Sequence, residues 1–115
     1  MPITREDYRQ RSRRLVCASG DTRIFLVPRN QIGQATHLQV DTAALSGRAG
    51  AISVQIRDSF QPISGASGTV IRKELSVLAG DVIAEDLGGG YPLMGGIDVR
   101  VSTSGPIVSL AAMFR

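Results

Sequence analysis

A period of two constrains this chain more than any other feature. In "THLQVD", Leu38 and Val40 alternate with His37, Gln39 and Asp41. In "GAISVQIRD", Ile52, Val54 and Ile56 alternate with Ser53, Gln55 and Arg57, and in "GGIDVRVS", Ile97, Val99 and Val101 alternate with Asp98, Arg100 and Ser102. Successive side chains of a strand point to opposite faces, so each run predicts a strand with one wet face. The continuous apolar runs "RIFLV" (23–27) and "PIVSLAAMF" (106–114) predict more deeply covered strands. In "TVIRKELSVLAG", Ile71, Leu75 and Val77 share a face with Lys73, and an inward lysine is a protective device of edge strands. Turn signals such as Ser19-Gly20-Asp21, Ser46-Gly47, Ala79-Gly80-Asp81 and Ser104-Gly105-Pro106 recur roughly every 10 to 15 residues, the spacing of an antiparallel sandwich.

The expectation is therefore all-β: an antiparallel β-sandwich of seven to eight strands, jelly-roll or immunoglobulin-like, over residues 15–115. The chain has 115 residues, enough for one domain with one core. It contains no Trp, two Tyr and three Phe, so that core must be aliphatic. The lone cysteine, Cys17, has no partner for an internal disulfide and reads as a small buried hydrophobe. No apolar run approaches the length of a membrane span, and the N-terminal residues are charged where a secretory signal needs an apolar segment.

Residues 1–14 differ from the rest. They carry Arg5, Arg9, Arg11, Arg13 and Arg14 against Glu6 and Asp7, while acids and bases balance over residues 15–115. The whole net charge of +3 thus lies in this segment. Thr4 followed by Asp7 suggests a helix start, yet Tyr8 is its single large apolar residue. The segment is expected to be a short helix or arm that orders on a partner, with Arg5, Tyr8, Arg9, Arg11, Arg13 and Arg14 as its contacts. Arginine forks suit carboxylates on a protein, and the scarcity of aromatics argues against base stacking on nucleic acid.

The glycine-rich stretch "LGGGYPLMGGIDVRV" raises the question of a phosphate loop. Gly90 and Gly95 have the outer spacing of one, but Gly96 stands where its lysine belongs, and no Ser or Thr follows. The dinucleotide fingerprint fails as well, with Leu93 at its third glycine. Both motifs require a helix after the glycines, and here a period-two strand follows. The stretch is expected to be a long loop over 87–96, with Tyr91 and Met94 as possible contacts. Other chemistry is as poorly provided. One His and one Cys do not make a zinc site, and His37 beside Asp41 on a polar strand face is a surface histidine rather than a triad member. Asp81, Glu85 and Asp86 read as a solvated face rather than a calcium or paired-carboxylate site. No catalytic, cofactor-binding or metal-binding residue is assigned, and the expectation is a non-enzyme without cofactors.

From Thr22 to Phe114 the order of "IFLVP", "THLQVD", "GAISVQIRD", "ELSVLAGDVIAEDL" and "GGIDVRVSTSGPIVSLAAMF" resembles the small β-sandwich accessory proteins of tailed-bacteriophage virions, which decorate capsids and tails. The resemblance is one of pattern and carries over no functional residue. It implies a structural virion protein, a capsid decoration or cement subunit that binds the shell in many copies. It further implies a homo-oligomer, often a trimer, made in the host cytoplasm and located in the virion, with capsid or other virion protein as partner and no membrane. The alternative is a tail or receptor-binding module that recognises a glycan or protein through the 87–96 segment.

Overall fold

The computed structural model describes residues 9–28, 30–59 and 70–115. Its strands are β1 (Arg9–Val16), β2 (Gly20–Leu26), β3 (Gly33–Asp41), β4 (Ala51–Asp58), β5 (Val70–Leu78), β6 (Val82–Leu93), β7 (Gly96–Val101) and β8 (Ile107–Phe114). A 3-10 turn, Ala43–Leu45, follows β3. The three alternating runs of the sequence are β3, β4 and β7, and their apolar positions are the buried ones.

The strands form two four-stranded antiparallel sheets, ordered β1-β8-β3-β6 and β2-β7-β4-β5. The first strand pairs with the last, the second with the seventh, the third with the sixth, and the β4–β5 hairpin closes the series. Two further pairings, β3 with β8 and β4 with β7, join these nested pairs into sheets. Every connection except β4–β5 crosses from one sheet to the other. This is the jelly-roll wind of an eight-stranded sandwich.

Between the sheets lies an aliphatic core in which Leu38, Val54, Ile56, Val99, Val108 and Leu110 are almost wholly excluded from water. Phe25 and Phe114 meet edge to face within it, their ring centroids 5.5 Å apart. Cys17 is buried beside this core, and burial raises its thiol above the ordinary value of 9.0 despite a backbone hydrogen bond near Val108 that lowers it. Buried Thr42 fixes the β5–β6 turn: its hydroxyl donates to the Asp81 carbonyl at 2.7 Å and accepts from the Gly80 N–H at 3.1 Å.

Three expectations change. The segment from Arg9 onward is neither helix nor arm, because Arg9–Val16 pairs along its whole length with β8. The sandwich therefore begins ahead of residue 15. Arg5 and Tyr8 lie outside the described residues. The 87–96 segment is not a loop between strands: β6 runs through to Leu93, and Thr36 of β3 alone stands opposite Leu87–Gly90. The glycines form a wide bulge in an edge strand. Gly88 takes φ +60 and donates its N–H to the Asp86 carboxylate at 2.9 Å, a turn that an L side chain would strain. Finally, β5 is an edge strand as Lys73 suggested, but Ile71 is exposed, since the register slips between Ile56 and Arg57 and turns that end of β5.

Candidate interaction site at the open sides of the sandwich

A two-sheet sandwich has two open sides, where the edge strands of one sheet face those of the other. Here they are the β1/β2 side and the β5/β6 side. Core-side positions on edge strands lie at the mouth of the gap between sheets, where long polar side chains reach water.

On the β5/β6 side these positions carry opposite charges. Lys73 stands opposite Ile56 and Glu85 opposite Leu38, both facing inward. Lys73 Nζ and Glu85 Oε2 lie 3.0 Å apart, and the ammonium sits 5.7 Å from the centroid of the Tyr91 ring. The hydrogen bond to Glu85 raises the lysine above its ordinary value of 10.5. Tyr91 thus packs on the core under Lys73, whereas Met94 is exposed in the following turn.

The same side holds a clasp that sequence reasoning missed. Asp58, at the end of β4, is fully buried. Its carboxylate accepts the N–H groups of Met94 and Gly95 at 2.8 and 2.9 Å, and Arg72 approaches it at 3.1 Å. Arg72 is the extra residue of the β5 bulge, which brings its guanidinium to Asp58. A side chain at Gly95 would press on Asp58 and on the Ser59 backbone at about 3 Å, so any larger residue there would force these groups to give way.

On the β1/β2 side the charges have one sign. Arg11 stands opposite Ala112 and Arg13 opposite Leu110, both core-facing registers, while Arg14 opposes Ser109 on the outer face. Arg11 covers the Phe114 ring at 5.8 Å, an exposed cation–π contact. Across the gap β2 offers Thr22 and Phe25 at core-side registers, and neither is an acid. Arg11, Ser12, Arg13, Phe25 and Leu26 line a cleft of about 530 Å³. Among the described residues, Arg11, Arg13 and Arg14 have no ion-pair partner. Of the arginines proposed from sequence, the structure brings these three together on one edge strand.

The other candidate residues are separated. His37 is exposed on the outer face of β3, and the Asp41 carboxylate accepts the Ala43 N–H at 2.9 Å. Glu85 and Asp86 point to opposite faces of β6. Among the described residues, no three of His, Cys, Asp and Glu come together as a metal site would require.

No protein-family model matches this chain, and no curated protein does. Among solved structures it is similar to one described by the words "Bacillus endospore appendages form a novel family of disulfide-linked pili". The TM-score is 0.54 at 10% identity, over 93% of this chain and 83% of that one. At that identity the likeness establishes a shared sandwich fold.

Proposed function

We propose that this protein is a non-enzymatic structural subunit of a repeated assembly, in its specific form a decoration or cement protein that binds the capsid of a tailed bacteriophage in many copies. The observation that carries the reading is the β1 edge. A closed aliphatic sandwich presents there Arg11, Arg13 and Arg14, which among the described residues have no ion-pair partner, on a strand whose second side has no pairing neighbour among those residues. Such an edge is a template for another chain, and arginine selects carboxylates on it. The sandwich shared with a protein of pili supports a building-block role. The disulfide linkage named for those pili would require another thiol here, because Cys17 is buried.

The test is compositional and then biochemical. Mass spectrometry of purified phage particles is expected to find the protein at a copy number comparable to that of the major shell protein. Binding to undecorated shells should weaken as salt rises, since exposed ion pairs are screened within a Debye length of about 8 Å at physiological ionic strength. Absence from particles, or presence only as a trace, overturns the reading.

A further inference from the structure

We infer that the two edges of the first sheet bind one another between copies, β1 of one molecule pairing with β6 of the next. Three independent observations converge on a second copy of this chain as the occupant of the β1 edge.

The first is charge. The β1 sequence RQRSRRLV holds four arginines and no acid, whereas β6, VIAEDLGGGYPL, holds Glu85 and Asp86 and no base, with Asp81 just ahead of it. These strands are opposite edges of one sheet. Each edge repels its own copy and attracts the other, so like charge disfavours symmetric β1–β1 pairing and selects the head-to-tail contact. The second is direction. All pairings in this sheet are antiparallel, so β1 and β6, three places apart in the order, run in opposite senses. A molecule set beside the first in the same orientation therefore continues the antiparallel alternation across the junction. The third is apolar surface. Val16 and Val82, 69% and 51% exposed, both lie on the outer face of this sheet, one on each edge.

One register satisfies all three. With Ser12–Val16 set against Val82–Asp86, Val16 opposes Val82, and on the core side Arg13 opposes Glu85, which already pairs with Lys73 of its own chain. Arg14 then stands diagonal to Asp86 on the outer side, within reach of long side chains. The Gly88–Gly90 bulge ends the pairing at Asp86, which confines the contact to the first half of β6. A contact of this size is weak in isolation. Its head-to-tail geometry makes a closed ring, of which a trimer is one case, or an open filament, according to the rotation between copies.

This deepens the reading of β1 as an attachment edge by naming its partner, and the two ideas fail separately. Self-pairing is tested on the free protein, and shell binding on particles. The decisive experiment uses two variants of the full chain: Arg13→Glu with Arg14→Glu, and Asp81→Lys with Asp86→Lys. Circular dichroism first confirms that each is folded. In sedimentation velocity at low salt the wild type is expected to associate, with affinity falling about tenfold at high salt. Each variant alone should be monomeric, because its altered edge no longer complements the other. An equimolar mixture should associate again, since the unaltered β1 edge of the second variant meets the unaltered β6 edge of the first. A Val16→Cys, Val82→Cys chain, oxidised when dilute, should yield covalently linked multimers. A wild type that stays monomeric at all concentrations, a mixture that fails to restore association, or cysteines that do not cross-link between chains overturns the inference.

Discussion

The β5/β6 side and the β1/β2 side of this sandwich face the same physical problem with different residues. Each must expose core-side positions of two edge strands to water. On the first, Lys73 and Glu85 neutralise one another across the gap above Tyr91, and Asp58 ties the adjoining turn to β4 and β5. On the second, Arg11 and Arg13 hold the corresponding positions, and no acid stands opposite on β2. Inward charge on an edge strand discourages unplanned pairing on either side. The difference is that the first side satisfies its charges internally, while among the described residues the second has no acid to satisfy its own. A closed side serves stability and an unsatisfied one serves contact, and the comparison can be broken by mutating both.

The largest effect is expected on the closed side. Replacing Asp58 by Ala strips the Met94 and Gly95 N–H groups of their acceptor and leaves the partly buried Arg72 guanidinium uncompensated. Removing one partner of a buried charge pair costs about 3–5 kcal/mol. Urea denaturation of Asp58→Ala should show a loss in that range, with Asp58→Asn less affected because its amide oxygen still accepts one N–H. A loss below about 1 kcal/mol would mean that solvent replaces the carboxylate, and that the β5/β6 side is not closed in the sense argued.

A second effect sharpens the other half of the comparison. If β1 were an appended arm, removal of residues 1–13 would leave the sandwich intact. Because that deletion leaves only Arg14–Val16 of β1 and bares the β8 ladder, it should cost about 2 kcal/mol, at roughly 0.2–1 kcal/mol for each lost cross-strand pair. Removal of residues 1–8 is the matched control, since it leaves the ladder from Arg9 to Val16 intact. Equal urea midpoints for the two truncations would show that β1 adds nothing to the fold.

That contrast also marks what the sequence makes legible. Strands β3, β4 and β7 announce themselves because each buries one face and wets the other, so the pattern is written within the strand. Lys73 correctly marked β5 as an edge. β1 is silent, because RQRSRR has no apolar alternation: what makes it a strand is the ladder of β8, some 100 residues away in sequence. The glycine run looked like a loop for the same reason, since a bulge is defined by its partner, here Thr36. Asp58 resembled any acid at the end of an amphipathic strand. Its burial depends on two N–H groups more than 30 residues distant and on a bulge in β5 that delivers Arg72, and no local spacing encodes either.

The smallest effects decide the comparison most directly, because they test equivalent positions. Lys73→Met removes a satisfied charge, and Arg13→Gln removes an unsatisfied one. The Lys73–Glu85 pair is partly open to solvent, so Lys73→Met should cost only about 0.5 kcal/mol. Its sign with pH is fixed. The lysine is raised in the folded protein, so the contribution is fully present below the ordinary value of 10.5 and is lost as pH climbs through the folded value. The stability gap between wild type and Lys73→Met should therefore be level around neutrality and close above pH 10.5. Arg13→Gln should show no loss, or a gain of about 0.3 kcal/mol from relieved repulsion with Arg11, the neighbouring inward arginine on β1. A destabilisation by Arg13→Gln equal to that of Lys73→Met would mean that the arginine is already satisfied within its own chain. The β1 edge would then have no charge left over for a partner.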